Sequence, residues 1–208
     1  MELSGEMVAS LIDHAVLGPA QGQKDLEKAC DVAVEYGVAS VCCKPAWLSR
    51  CADLLDGSGV LPSTVIGFPH GGHSTRIKVS EAEQALADGG VELDMVVNVG
   101  RVLEEAWDLV REDIGEVLAV TRSRGAQLKV IFENCYLQDN HRVRLCEICG
   151  ELNADWIKTS TGYGPGGATM EDLRLMRRHA PEHVQIKAAG GVRDLDKLLE
   201  MVHLQAEL

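Results

Sequence analysis

The segments WIKTST (156–161) and QIKAAG (185–190) decide the fold of this chain. Each is a short, largely apolar run that predicts a buried β-strand, and each contains a lysine and leads into a glycine-rich turn. A lysine is seldom buried without a partner, because an ammonium loses several kcal/mol of hydration when it leaves water. Lys158 and Lys187 therefore indicate chemistry as well as packing.

Five further apolar runs precede these two along the chain. They are LIDHAVL (11–17), ASVCCKP (39–45), TVIGFP (64–69), ELDMVVN (92–98) and LKVIFE (128–133). Stretches that predict amphipathic helices lie between the runs, and two of them end at glycines, Gly37 and Gly89. Strand–helix alternation at this spacing predicts parallel strands joined by right-handed crossovers.

Charged residues inside the strands separate the two folds that share this pattern, a closed barrel and an open doubly wound sheet. The core strands of an open sheet are almost purely apolar, whereas these runs contain Asp13, Asp94, Lys129, Lys158 and Lys187. Charged residues are expected in strands whose side chains point inward around a common axis near a site. We therefore predict an α/β fold, a TIM-type (β/α)8 barrel.

The eighth strand of this barrel is absent from the sequence. Seven strand–helix units are present, and the last segment, residues 194–208, predicts the seventh helix of this series. Strands one and seven would then have open edges. Another chain could cover the gap, the C-terminal segment could pair in some other way, or the barrel could be a shortened form.

Size and charge limit the class of partner. At 208 residues with 46% hydrophobic side chains, the chain can bury one core, and we predict a single barrel domain over residues 1–208. Its 20 basic and 32 acidic residues give a net charge of −12, which argues against nucleic-acid and anionic-membrane partners. An anionic substrate would need a local positive site.

The cysteines predict a reduced compartment. There are seven of them, an odd number, and the chain shows no N-terminal signal peptide and no apolar run long enough to span a bilayer, so we expect a cytoplasmic protein. Cys146 and Cys149 have the spacing of metal ligands. A single pair on a predicted helix fits two small apolar side chains better, so no metal is expected.

The two strand lysines point to Schiff-base chemistry. Side chains alternate along a strand, so both amines, together with Asp94, can converge in the lumen of a barrel. We expect the charge of Lys187 and the dry surroundings to lower the pKa of Lys158, which leaves more of its amine neutral. The first hypothesis is a lysine-dependent aldolase, which needs neither a metal nor an organic cofactor.

Five motifs resemble those of the deoxyribose-phosphate aldolases. They are GFPHG (67–71), ELDMVVNVG (92–100), LKVIFENCYL (128–137), DWIKTSTGYGPGGAT (155–169) and IKAAGGVRD (186–194). The resemblance implies a class I aldolase with a (β/α)8 barrel. It also implies the reversible cleavage of 2-deoxyribose 5-phosphate to acetaldehyde and glyceraldehyde 3-phosphate, so the expected partners are a sugar phosphate and aldehydes.

The same resemblance implies roles for individual residues. Lys158 matches the Schiff-base lysine, Lys187 matches the second lysine that perturbs it, and Asp94 matches a member of the proton relay. Positions that match pocket-lining residues are Asp13, Cys42 and Lys129, and positions that match residues near the substrate phosphate are Thr161, Gly162, Gly190 and Gly191.

Structural alternatives remain open for some of these residues. Lys187 and Asp94 could form a purely structural pair, and Lys129 could only balance nearby carboxylates. Asp13 could cap local backbone groups instead of orienting a substrate hydroxyl. Cys42 is expected to line the pocket, because nothing near it in the sequence suggests an activating base.

The chain departs from the resemblance at the far end of the barrel. The aldolases continue into an eighth strand whose Gly-Ser-Ser-type end completes the phosphate site, and nothing after residue 199 matches it. Three functions therefore remain open: a 2-deoxyribose-5-phosphate aldolase, an aldolase for short unphosphorylated aldehydes, or a shortened non-catalytic relative that forms oligomers. The open edges further predict a homo-oligomer, with a dimer favoured.

Overall fold

A computed structural model describes residues 4–207, in which seven parallel strands form one sheet whose strand order follows the chain order. The strands β1–β7 are Asp13–Val16, Ser40–Cys43, Leu61–Ile66, Glu92–Val96, Gln127–Ile131, Trp156–Lys158 and Gln185–Lys187. The helices α1–α9 are Gly5–Ala9, Gln23–Tyr36, Leu48–Leu55, Thr75–Ala87, Val99–Leu103, Trp107–Ser123, Asp139–Glu151, Met170–His179 and Leu195–Glu207. Residues 1–3 and 208 of the predicted domain lie outside the described part.

The sheet curls into a partial barrel. Neighbouring strands are roughly 4.8 Å apart, so β1 and β5 would be separated by about 19 Å in a flat sheet. Lys129 Nζ on β5 nevertheless lies 3.4 Å from Asp13 Oδ2 on β1. The TIM-type architecture is confirmed, and within residues 4–207 it contains seven strands, in agreement with the predicted absence of the eighth.

Helix α2 shows how the apolar pattern produces the outer layer. Its buried residues Leu26, Ala29, Cys30 and Ala33 recur at helical spacing and face the sheet. The helix ends at Gly37, whose φ of 63° is in the left-handed region that glycine adopts without strain. The predicted end of this helix is therefore confirmed.

The turn after β3 depends on a glycine. Gly71 has a φ of 65°, and its N–H donates to the carbonyl of Gly67 at 2.7 Å. A Cβ at this position would lie 1.8 Å from the carbonyl oxygen of Val97 at the end of the next strand. The close approach of the two strand ends therefore excludes any side chain here.

A buried ion pair joins two helices outside the barrel lumen. Lys78 on α4 donates from Nζ to Asp113 Oδ2 on α6 at 2.5 Å and to the carbonyl of Val96 at 2.8 Å. Both side chains are almost completely buried. The pair fixes α4 and α6 against the end of β4, and the sequence analysis did not identify it.

Strands β1 and β7 are the edges of the sheet in the described part of the chain, and they do not pair with each other. A cavity of about 350 Å³ lies beside these edges. Its walls include apolar side chains of β7, α8 and α9, such as Ile186, Leu173 and Met201, together with the charged side chains of Asp13 and Lys187. No helix within residues 4–207 is long and apolar enough to cross a membrane.

Candidate active site

Side chains from five strands meet in the lumen of the partial barrel. The sheet register sets Asp94 opposite Lys129 and Lys158 opposite Lys187. Alternation along β4 puts Glu92 on the same face as Asp94. The resulting cluster has three ammonium groups and three carboxylates, contributed by Asp13, Glu92, Asp94, Lys129, Lys158 and Lys187.

Lys158 forms an ion pair with Asp94. Its Nζ lies 2.5 Å from Asp94 Oδ2, the carboxylate is fully buried, and 11% of the lysine side chain is exposed. Burial opposes the charged form of the amine, but the charge and hydrogen bond of Asp94, with smaller contributions from Cys42 and Asp13, together outweigh burial and raise the pKa of Lys158. The expectation of a lowered pKa is therefore wrong for this arrangement, because the group in contact with the amine is a carboxylate.

Lys187 is held by the first strand of the barrel. Its Nζ lies 2.8 Å from Asp13 Oδ1 and donates to the carbonyl of Leu11 at 2.8 Å. Burial would raise the pKa of Asp13, but Lys129 and Lys187 outweigh burial and lower it to about 2. Asp13 is thus ionised in the lumen and pairs with side chains; the alternative that it caps backbone groups is not what the structure shows.

Lys129 lies among all three carboxylates. Its Nζ forms an ion pair with Glu92 and lies 3.3 Å from Asp94 Oδ1 and 3.4 Å from Asp13 Oδ2. Burial alone would lower the pKa of Lys129, but the carboxylates raise it, so this amine stays charged. Lys129 therefore balances the carboxylates, and its role in lining the pocket stays a prediction.

Cys42 lies on β2 and is buried. Burial, together with the nearby Asp94 charge, raises the pKa of its thiol to about 12. A protonated thiol is a poor nucleophile. The thiol is therefore not an activated nucleophile, and its lining role stays a prediction.

Two glycine-rich loops meet at the carboxyl ends of β6 and β7. The amide of Ala168 donates to the carbonyls of Ala189 and Gly190, at 2.9 and 3.1 Å. A Cβ added to Gly190 would lie 3.6 Å from the Cα of Gly162. Gly162, Gly190 and Gly191 all have positive φ, which brings the two backbones close together.

Thr161 forms hydrogen bonds with Glu133, a residue that the sequence analysis did not single out. Its N–H donates to the Glu133 carboxylate at 3.2 Å, and its hydroxyl also hydrogen-bonds to that carboxylate. Glu133 is buried and has a φ of 58°, an unusual conformation for a side-chain-bearing residue. Both Thr161 donors are therefore used to position the loop.

Two carboxylates were missed by the sequence analysis, Glu92 and Glu133. Glu92 could have been found from strand alternation, since it precedes Asp94 by two residues in ELDMVVN. Glu133 ends the run LKVIFE, where a charged residue also marks the end of a barrel strand. The two cysteines with the spacing of metal ligands, Cys146 and Cys149, lie on α7 and are buried in the apolar core.

A lysine amine beside a base in the lumen of a barrel is the arrangement of enzymes that form Schiff bases with carbonyl substrates. This chain belongs to the DeoC/LacD family of aldolases, whose sequence model matches residues 7–208.

Individual relatives agree with the family assignment. The deoxyribose-phosphate aldolase of Rhodopirellula baltica is 60% identical, with 96% of this chain and 83% of the relative covered. That of Thermococcus kodakarensis is 44% identical, with 96% and 90% covered. The tetrameric deoxyribose phosphate aldolase of Aeropyrum pernix superposes with a TM-score of 0.90 at 29% identity, and 97% of this chain and 85% of that chain are covered.

Proposed function

We propose that this protein catalyses the reversible cleavage of 2-deoxy-D-ribose 5-phosphate to acetaldehyde and D-glyceraldehyde 3-phosphate, through a Schiff base on Lys158. The observation that carries the proposal is the contact of Lys158 Nζ with the fully buried Asp94 carboxylate at 2.5 Å. An amine in contact with a buried proton acceptor can be deprotonated in place when a substrate enters. Family membership and the names of the relatives support the substrate.

The chemistry begins with transfer of the Lys158 proton to Asp94. The neutral amine adds to the aldehyde carbon of the substrate, and loss of water gives an iminium that attracts electrons from the neighbouring bond. A base removes the proton of the C3 hydroxyl, the C2–C3 bond breaks to leave an enamine, and glyceraldehyde 3-phosphate departs. Protonation of the enamine and hydrolysis then release acetaldehyde and return Lys158.

Asp94 and Lys187 are assigned to proton transfer in this scheme. Asp94 is in contact with the reacting amine, and Lys187 is opposite Lys158 in the register of neighbouring strands. The ion pair with Asp13 keeps the Lys187 ammonium at the lumen wall. Both residues are therefore placed to exchange protons with groups at the Lys158 end of the substrate.

The substrate is held by residues that surround these three. Asp13, Cys42 and Lys129 line the pocket. The phosphate is received by the backbone amides of Gly162, in the loop that Thr161 holds, and of Gly190 and Gly191, in the loop after β7. Backbone N–H groups at the carboxyl ends of barrel strands commonly bind phosphate. The scheme requires no metal and no organic cofactor, because the iminium provides the electrophile.

We further propose one domain over residues 1–208 that assembles as a cytoplasmic homo-oligomer, with a dimer favoured. The open edges of β1 and β7 support assembly. All seven cysteines are free thiols, and six of them are buried, which supports a reducing compartment.

Borohydride trapping with acetaldehyde tests the reaction. We expect a stable two-carbon adduct on Lys158 in peptide mass spectra, and no such adduct in Lys158→Arg, which keeps the positive charge but cannot form a Schiff base. Cleavage of 2-deoxyribose 5-phosphate should exceed cleavage of 2-deoxyribose. An adduct with no preference for the phosphorylated sugar would instead assign the enzyme to short unphosphorylated aldehydes, and a folded protein that forms no adduct would contradict the proposal.

A further inference from the structure

Glu92 is a buried carboxylate in the lumen for which the proposed reaction gives no task. It lies at the first position of β4, two residues before Asp94 and on the same face of the strand. The residue is 5% exposed. A carboxylate is seldom kept in such a position unless it is paired.

The partner of Glu92 is Lys129. Within the described residues, the ion pair with the Lys129 ammonium is the only one that Glu92 makes. Lys129 is also near Asp94 and Asp13, at 3.3 and 3.4 Å. Its ammonium is thus shared between Glu92 at one end of the lumen and the carboxylate that contacts Lys158.

The count of charges shows what Glu92 contributes. With Glu92, three carboxylates face three ammonium groups, and without it two carboxylates would have to serve three ammonium groups. Lys129 would then draw on its two remaining carboxylates, Asp94 at 3.3 Å and Asp13 at 3.4 Å. Asp94 would hold the Lys158 proton less strongly and would be a weaker proton acceptor in the reaction.

We propose that Glu92 is a positioning residue for the aldol reaction, which draws the Lys129 ammonium away from Asp94 and so keeps Asp94 available to exchange protons with Lys158. The inference rests on the proposed function of Lys158. The charged groups that face the Glu92–Lys129 pair are Asp13 from β1 and Asp94 from β4. Around these two carboxylates lie the other titratable groups of the lumen, Cys42 from β2, Lys158 from β6 and Lys187 from β7.

The test is Glu92→Gln, which keeps the shape of the side chain and removes its charge. We expect the pH at which half of Lys158 is trapped by acetaldehyde and borohydride to fall by about half a unit or more, since an ammonium near fewer negative charges loses its proton more easily. We expect kcat for 2-deoxyribose 5-phosphate to fall about tenfold or more, with KM within about threefold. Glu92→Asp, which restores the charge, should recover part of kcat.

The matched control is Asp113→Asn. Asp113 is also a buried carboxylate in contact with a lysine, but it lies on α6 outside the lumen. This variant should lose thermal stability and keep the trapping midpoint and kcat of the wild type. If Glu92→Gln behaves in the same way, Glu92 has only a structural role and the proposal is wrong.

A double variant covers the case in which Glu92→Gln does not fold. Glu92→Gln with Lys129→Met removes both charges of the pair and leaves neither buried alone. In the Lys129→Met background, Glu92→Gln should not shift the trapping midpoint further, because its effect passes through Lys129. A further shift of the same size would contradict the proposal.

The wild-type protein separates failure of this inference from failure of the proposed function. If the wild-type protein forms no adduct, the proposed function is refuted, and this inference with it. If the wild-type protein forms a normal adduct and Glu92→Gln shows no shift of the midpoint, only the inference is refuted.

Discussion

Burial and nearby negative charge shift the pKa of the Lys158 amine in opposite directions. Burial favours the neutral form, and the contact with Asp94, together with the other negative groups of the lumen, favours the ammonium, so the pKa of Lys158 is raised. The Lys158 ammonium is therefore held next to a carboxylate that can take its proton.

The variant Asp94→Asn tests this balance. The amide removes the negative charge but leaves the burial, so the pKa of Lys158 should fall, and the midpoint of borohydride trapping should move to lower pH by about one unit or more. Cleavage of the sugar phosphate should nevertheless decrease, because the proton acceptor is lost. Asp108→Asn, which removes an equal charge from an exposed position of α6, should change neither. A midpoint that stays in place or rises would show that Asp94 does not control the amine.

At the scale of the elements, the buried ion pair of Lys78 and Asp113 joins helices α4 and α6. Lys78→Met leaves the Asp113 carboxylate buried without its counter-ion, which typically costs about 3–5 kcal/mol of unfolding free energy. Urea unfolding followed by circular dichroism measures the loss. The double variant Lys78→Met, Asp113→Leu should recover most of it, because apolar replacement of a whole buried pair is often neutral. A double variant as unstable as the single one would contradict this account.

The same pair shows which features the sequence could and could not predict. The strands and the end of α2 follow from local signals, an apolar run and a glycine at the end of an amphipathic stretch. The partner of Lys78 is 35 residues away on another helix, so no local pattern indicates that this lysine is buried.

The charged cluster in the lumen also contains features that the sequence could predict and features that it could not. That charged strand residues converge could be predicted from the barrel, but their pairing could not. The contact of Lys158 with Asp94 and not with Lys187 depends on the curvature of the sheet. The sign of the pKa shift at Lys158 followed from that contact, and the sequence-based expectation was therefore wrong.

For the whole molecule, the open sheet predicts uneven stability. Strand β4 has a neighbour on both sides, whereas β1 and β7 each have one in the described residues. Amide hydrogen exchange followed by mass spectrometry should therefore be faster in residues 13–16 and 185–187 than in residues 92–96. Equal protection of all three strands would show that another segment or subunit covers the edges. Slower exchange at the edges with increasing protein concentration would assign the cover to a second copy of the chain.

The chain order of the strands also matters during synthesis. Each strand pairs with the one made just before it, so the sheet can grow as the chain leaves the ribosome. The ion partners are distributed differently: Asp13 and Asp94 are made early, and Lys158 and Lys187 belong to the last two strands. A partly made barrel thus has acidic groups whose counter-ions are added later, and Lys158 enters a lumen in which Asp94 is already present. The ion pair of Lys158 with Asp94 can therefore form as soon as β6 pairs with β5.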